Sequence, residues 1–142
     1  MVEDQKITVL VIDDDKDSRE MMKYYLEKQG LLVVTAGDGE EGLNILEKEH
    51  VSIVLSDIVM PKVDGIEFLK RVRQYNLQAE VIMITGQSSV EKCIDVLEHG
   101  ACQYLIKPVN LEDVLASIDR AKRNILEKRE MMRRAMQRKK EG

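Results

Sequence analysis

Five short apolar runs, each followed by a stretch of helical pattern, constrain this chain more than any other feature of its sequence. The first four runs are mostly continuous and rich in β-branched residues, which is typical of strands that are buried on both faces. Strict alternation of strands and helices requires crossover connections, so it predicts an α/β fold with a doubly wound, five-stranded parallel sheet. The runs are residues 7–12, 31–35, 51–56, 81–85 and 102–106.

The segments between the runs have the length and spacing of amphipathic helices. The fourth and fifth carry the clearest apolar stripes, at i, i+3, i+4 and i+7. The fifth helix does not stop where a compact domain would end, because residues 111–141 contain no Pro or Gly and consist mainly of helix formers. We therefore predict an extended C-terminal helix. The two stripes are Val90, Cys93, Ile94 and Leu97, and Leu111, Val114, Leu115 and Ile118.

The charge of the chain is distributed unevenly. Residues 120–142 contain ten basic and three acidic residues, whereas residues 1–119 contain twelve and twenty-three. An acidic body therefore carries a basic end. A basic helix can bind nucleic acid, but no helix-turn-helix pattern, aromatic interleaving or zinc-ligand spacing accompanies it, so we do not expect direct nucleic-acid binding by this chain.

Three further features bear on location. The sequence contains no run of eighteen apolar residues, so no membrane span is expected. The first ten residues carry acids where a signal peptide has a basic start, which favours a cytoplasmic protein. Cys93 and Cys102 lack CxxC spacing and are expected to be reduced structural thiols.

Residues able to do chemistry follow four of the predicted strands. Ligands of doubly wound sheets bind at the carboxyl ends of the strands, so these residues converge if the first, third, fourth and fifth strands lie together. Three carboxylates near one another repel, and Mg²⁺ is the oxygen-preferring cation that relieves this repulsion. A Lys is a point charge suited to phosphate. The residues are Asp13, Asp14 and Asp15, then Asp57, Thr85 and Lys107.

A carboxylate in such a site can act as a nucleophile and form an aspartyl-phosphate. Phosphoryl transfer needs mainly positioning and charge neutralisation from the protein. Each residue alone has an ordinary explanation: Asp15 is most simply a helix N-cap, and Asp57 and Thr85 are turn residues. Their joint occurrence at successive strand ends predicts phosphoryl chemistry at Asp57.

Four motifs of the chain resemble the response-regulator receiver domain of bacterial two-component signalling: VLVIDDD, IVLSDIVMPKVDGIEFL, VIMITG and YLIKP. The resemblance covers about residues 5–125 and implies a flavodoxin-like fold of five strand–helix units. It implies that Asp57 accepts a phosphoryl group from a sensor histidine kinase and that Mg²⁺ is required. The metal ligands that it implies are Asp13, Asp14, Asp57 and the backbone carbonyl of Val59.

The resemblance also implies a switch. Thr85 and Lys107 match the hydroxyl and the lysine that attend the phosphoryl group, and Tyr104 matches the switch aromatic. Phosphorylation of Asp57 would draw Thr85 towards the new charge and admit the Tyr104 ring, which would change the surface of the fourth helix, fifth strand and fifth helix. Such a domain catalyses only its own phosphorylation and dephosphorylation, so we do not expect an enzyme with a separate substrate.

Residues 126–142 are predicted to be an extended basic helix or linker that leads towards a missing output domain or effector. Apolar residues recur every seven positions in this helix and suit a marginal coiled coil, although Lys128 falls in the seam. A homodimer and a solvated basic helix both remain open. The repeating positions are Leu111, Ile118, Ile125 and Met132, with the companions Val114, Ala121, Lys128 and Ala135.

Two other functions fit parts of the pattern. A haloacid-dehalogenase-like phosphatase also uses an aspartate nucleophile and Mg²⁺, and Asp13 and Asp15 imitate its DxD motif, but no further acid pair follows the fourth strand. A flavodoxin that binds flavin mononucleotide needs a Ser, Thr or Gly loop for the phosphate after the first strand. Three acids at that position would repel the phosphate.

Overall fold

A computed structural model of the chain describes residues 7–57, 65–76, 78–86, 97–98, 100–101 and 103–141. The helix α4 defined here corresponds to the fifth predicted helix, because most of the segment predicted as the fourth lies outside the described residues. The strands are β1 (Thr8–Ile12), β2 (Leu32–Ala36), β3 (Ile53–Asp57), β4 (Glu80–Thr85) and β5 (Gln103–Ile106). The helices are α1 (Lys16–Lys28), α2 (Gly39–Lys48), α3 (Gly65–Tyr75) and α4 (Leu111–Glu141).

The five strands form one parallel sheet in the order β2-β1-β3-β4-β5. Each strand begins and ends within two residues of its predicted bounds. The predicted fold class, with a five-stranded parallel sheet, flanking helices and a long C-terminal helix, is therefore confirmed. Since β1, β3, β4 and β5 are adjacent, the residues that follow them lie along one continuous edge.

Apolar side chains fill a core on each face of the sheet. One core lies under α2 and α3 and contains Phe68, which is fully buried. The other lies under α1 and α4 and contains Leu26 and Ile118. Neighbouring residues of β1 enter opposite cores, Leu10 the first and Val9 the second. This two-sided burial explains why the central strands read as continuous apolar runs.

Helix α1 begins and ends as its sequence predicts. The Asp15 side chain caps the helix by accepting hydrogen bonds from the backbone N–H groups of Asp17 and Ser18. The chain leaves the helix through Gly30, whose φ of +84° lies in the left-handed region that glycine adopts without strain. Capping by Asp15 fixes the start of α1 directly after the acidic loop.

Helix α4 is continuous from the body of the domain into the basic extension. The seven-residue pattern predicted as a coiled-coil seam faces the protein's own sheet along the first part of the helix, where Val114, Ile118, Ala121 and Ile125 are all buried. The boundary that we predict after residue 125 thus falls within an unbroken helix. Among the described residues, no helix has both the length and the apolar character needed to cross a membrane.

Replacement of Phe68 by alanine is expected to lower the free energy of unfolding by about 3–5 kcal/mol, because it leaves a cavity in a closed core. Chemical denaturation followed by circular dichroism measures this loss. Tyr75→Ala is the control on the same helix, since Tyr75 is 43% exposed, and less than about 1 kcal/mol is expected there. Equal losses in the two variants would contradict the packing described here.

Candidate functional site

The carboxyl ends of four neighbouring strands bring the predicted site residues to one edge of the sheet. Asp57 ends β3 and Lys107 follows β5, fifty residues later in the chain. The Lys107 Nζ atom donates a hydrogen bond of 2.6 Å to Asp57 Oδ2. This contact spans β4, which lies between the two strands, so it depends on the strand order rather than on local sequence.

Asp13 lies in the loop between β1 and α1, and backbone contacts fix its position. Its N–H donates to the carbonyl of Ala36 (3.1 Å), and its carbonyl accepts from Arg19 Nη1 (2.9 Å). Its own side chain accepts a hydrogen bond of 3.0 Å from the N–H of Asp15. Asp14 is exposed beside it. The arginine contact was not predicted, because Arg19 belongs to no recognisable motif.

The charges of this edge act on one another. Burial raises the pKa of the Asp13 carboxyl above its ordinary value, and the charges of Asp14 and Asp15 add to this effect. The hydrogen bond from the Asp15 N–H and the charge of Lys107 oppose it. The pKa of Lys107 is raised, first by its hydrogen bond to Asp57 and then by the charges of Asp57, Asp13 and Asp14. The lysine therefore compensates part of the repulsion among the acids.

Thr85 ends β4 and is completely buried. Its hydroxyl donates to the carbonyl of Gly86 at 3.2 Å, and its own carbonyl accepts a 2.7 Å hydrogen bond from the N–H of Lys107. The backbone that carries the threonine is thus joined to the backbone that carries the lysine. Among the described residues, a Cβ atom on Gly86 would meet no atom within 4 Å.

Tyr104 lies on β5 and is 39% exposed. The register pairs Tyr104 with Met83 and Ile106 with Thr85. Side chains two residues apart on a strand share one face, so Tyr104 lies on the same face of the sheet as Thr85, two residues further from the site.

A cleft of about 990 Å³ extends from the acidic loop between α1 and the start of α4. The acids and Lys107 line one end, and apolar side chains line the other. Met21 is 59% exposed and Tyr25 is 38% exposed along this wall. Asn110 also lines the cleft, and its side chain accepts a hydrogen bond from the N–H of Asp113 and caps α4. The sequence motifs gave no indication of this apolar wall.

The oxygen donors at this edge fit Mg²⁺ in kind, since it prefers carboxylate and carbonyl ligands and keeps several waters. Within the described part of the chain, no three carboxylate, His or Cys side chains are grouped closely enough to hold a metal ion. The fourth predicted ligand, the carbonyl of Val59, lies outside the described residues. The predicted ligands therefore suit Mg²⁺ by the type of their oxygen atoms. In this structure the Asp57 carboxylate is bonded to Lys107.

The family model described as response regulator receiver domain matches residues 9–119. The transcriptional regulatory protein CpxR of Escherichia coli is 39% identical over 110 residues, which is 78% of this chain and 47% of that protein. The alkaline phosphatase synthesis transcriptional regulatory protein PhoP of Bacillus subtilis is 36% identical over 110 residues, or 46% of its length. The chain thus spans about half the length of these relatives.

Solved structures agree with the family model. A CheY-like receiver domain protein from Methanospirillum hungatei superposes with a TM-score of 0.80 at 32% identity, covering 87% of this chain and 99% of that one. The chemotaxis protein CheY4 of Vibrio cholerae gives a TM-score of 0.76 at 34% identity, covering 82% of this chain and 99% of its own. The chain therefore shares its fold with these receiver proteins.

In the metal-free protein, Asp13→Asn is expected to raise the free energy of unfolding by about 0.5–1 kcal/mol at pH 7, allowing for solvent screening of a partly exposed group. A carboxyl whose pKa is raised by folding destabilises the fold while it is ionised. This penalty is present in full above the folded-state pKa and disappears as the pH falls below the unfolded value. Urea denaturation should therefore show a gain at pH 7 that vanishes towards pH 3, and a gain independent of pH would contradict this reasoning.

Proposed function

Because the chain belongs to the response regulator receiver domain family, we propose that it accepts a phosphoryl group on Asp57 from the phosphohistidine of a sensor histidine kinase. The observation that carries the proposal is the 2.6 Å contact of Lys107 with the Asp57 carboxylate, at the edge of the sheet that also holds the acidic loop. It provides a nucleophile with a cation already placed beside it.

The transfer requires little covalent chemistry from the protein. An oxygen of the Asp57 carboxylate attacks phosphorus, the P–O bond forms, and the P–N bond to the donor imidazole breaks with its electron pair left on the ring nitrogen. The residues of the site position the acceptor and balance charge, which is the main contribution that proteins make to phosphoryl transfer. Asp57 is 21% exposed, so a donor can reach it from solvent.

We assign the magnesium ligands to Asp13, Asp14, Asp57 and the backbone carbonyl of Val59. Bound there, Mg²⁺ would neutralise the phosphoryl oxygens. Burial raises the pKa of the Asp13 carboxyl even though the charge of Lys107 opposes this effect, which supports the assignment of a further cation to this loop. Repulsion among the acids weakens the fold. A divalent cation that relieves this repulsion would therefore bind more tightly.

Lys107 and Thr85 have separate roles in the phosphorylated state. Lys107 exchanges its bond to the carboxylate for one to a phosphoryl oxygen, which its flexible stem permits. Thr85 exchanges its weak contact with the Gly86 carbonyl for a hydrogen bond to another phosphoryl oxygen. Tyr104, on the same face of the sheet, then moves into the space that the threonine leaves.

The surface that changes lies around β5 and α4, where a groove of about 390 Å³ is lined by Tyr104, Asp113 and Arg120 among others. The partners that we propose are a sensor histidine kinase and an output domain or effector, with a homodimer as a further form. The matched segment is about half the length of these relatives, which are named transcriptional regulatory proteins, and this supports an output beyond the receiver. We place this function in the cytoplasm.

As a receiver, the protein would phosphorylate and dephosphorylate its own Asp57 and would not turn over a separate phosphate ester. The alternative of a haloacid-dehalogenase-like phosphatase would make Asp13 the nucleophile and Asp15 its acid–base partner. Asp15 instead caps α1 by accepting two backbone N–H groups. The 2.6 Å contact of Asp57 with Lys107 also has no role in that mechanism.

Incubation with phosphoramidate and Mg²⁺ is expected to add a single phosphoryl group to the chain and none to Asp57→Asn. Intact-mass spectrometry measures the addition, which should be stable in acid, labile in base and lost when the metal is chelated. Asp38→Asn, which alters an aspartate that caps α2, is the matched control and should still be phosphorylated. Addition undiminished in Asp57→Asn would defeat the proposal, and steady hydrolysis of a phosphate ester would favour the phosphatase.

Lys107→Ala is expected to slow phosphorylation by about a hundredfold, the usual cost of one lost charge-stabilising donor. The same variant should bind Mg²⁺ more tightly, because a positive charge beside the acids is removed. Stopped-flow phosphorylation and isothermal titration calorimetry measure the two effects. Lys48→Ala changes the same residue type at an exposed position of α2 and should alter neither. A loss of both metal binding and rate would point to misfolding of the edge instead.

A further inference from the structure

The edge of the sheet opposite the phosphorylation site carries a buried carboxylate. Glu80 is the first residue of β4 and is only 1% exposed. Its two carboxylate oxygens accept hydrogen bonds from Asn124 Nδ2 at 2.8 Å and from Lys128 Nζ at 2.9 Å. Both donors lie on α4, so this carboxylate joins the central sheet to the long helix.

Burial makes this contact energetically important. Removing a carboxylate from water is costly unless it is paired with a cation and hydrogen-bonded, and both conditions hold for Glu80. Loss of the cation leaves a charge inside the protein, which costs more than loss of an exposed ion pair. The Lys128 side chain is 47% exposed, so its own removal from water is incomplete and the pair is partly screened.

The donors are positioned by the packing of α4. Asn124 and Lys128 are four residues apart and therefore share a helix face. Ile125, beside them, is 7% exposed against the core. One turn further, Gln78 Nε2 approaches Met132 Sδ at 3.0 Å. The inward face of α4 thus contacts the body as far as residue 132, although the family model matches only as far as residue 119.

These contacts explain the position of Lys128 in the seven-residue pattern. A lysine at the centre of an intermolecular coiled-coil seam is destabilising, but here it faces the carboxylate of the protein's own sheet. The seam up to Lys128 is an intramolecular interface. Residues 133–141 follow the last of these contacts, and an isolated helix of that length is only marginally stable in water.

We propose that Glu80, Asn124 and Lys128 form a clamp that fixes the direction in which α4 leaves the domain and so positions whatever the helix contacts or carries. The clamp acts independently of Asp57 chemistry. Without it, α4 stays mainly helical, because its propensities and the pairs of Glu130 with Arg133 and Arg134 persist, but it opens more often because it has lost its contact with the sheet. The basic second half would then pivot relative to the sheet.

Distance measurement tests the direction of the helix. Spin labels attached to p-acetylphenylalanine at the exposed positions 47 on α2 and 137 on α4 report their separation by double electron–electron resonance without altering any cysteine. A single narrow distribution is expected for the otherwise unchanged chain. Glu80→Gln and Lys128→Met should each broaden it about twofold or more, because a buried charge pair is lost.

Glu130→Gln is the matched control. It removes the same charge as Glu80→Gln, but from an exposed pair within α4 rather than from the buried contact between the sheet and the helix. Its distance distribution should stay narrow. Broadening by Glu130→Gln to the same extent, or no broadening in either clamp variant, would overturn the proposal.

Hydrogen exchange distinguishes detachment of α4 from the sheet from unfolding of the whole domain. Amides in residues 122–132 should exchange about tenfold faster in both clamp variants, whereas those of β1 and β3 should be almost unchanged. An equal acceleration throughout the chain would show that Glu80 only stabilises the fold and would reject the clamp. If Glu80→Gln fails to fold, Lys128→Met decides alone, since its side chain is half exposed and removal leaves the core intact.

Discussion

The parallel pairing of β3 with β1 on one side and with β4 on the other is the constraint on which the rest of this molecule depends. It requires crossover helices, which bury both faces of the sheet and account for two separate aliphatic cores. It also directs the carboxyl ends of the strands to one edge. Asp57 therefore lies two strands away from Lys107, within hydrogen-bonding distance. The site is thus a consequence of the strand order.

Ionisable residues at the two edges of the sheet are stabilised in different ways. At the carboxyl edge the acids outnumber the cations, burial raises the pKa of Asp13, and Lys107 compensates only part of the charge. Under the proposed function, a bound cation would relieve the repulsion among these acids. At the amino edge, Glu80 is satisfied within the chain by two donors from α4. One edge is thus open to ligands, whereas the other is closed by the protein itself.

The sequence was sufficient to predict the five strands, their parallel pairing and the capping role of Asp15, because each follows from local periodicity or local hydrogen bonding. It could not show which partner the inward face of α4 would have. Intramolecular packing and a coiled coil both need apolar residues at a spacing near 3.5, and three repeats do not separate them. The contacts of Arg19 with Asp13 and of Lys128 with Glu80 are likewise set by tertiary packing. Of the predicted site residues, Asp57 and Lys107 are in direct contact, and the roles assigned to the others remain predictions, since Val59 lies outside the described residues and no three acids of the described part are grouped closely enough to hold a metal ion.

The two edges are connected by β4, which carries Glu80 at its first residue and Thr85 at its last. This strand pairs with β3 from Glu80 to Ile84 and with β5 from Ile82 to Thr85, so we do not expect a change in the Thr85 side chain to displace its far end. Under the proposed function, the effect of phosphorylation therefore spreads sideways, from Thr85 to Tyr104 on the neighbouring strand and to the start of α4. The middle of α4 is held in place by the hydrogen bonds of Asn124 and Lys128 to Glu80. A rearrangement near the first turn of α4 would therefore leave the middle of the helix in place. A local change at the site could then alter the surface of the domain while the basic extension keeps its direction.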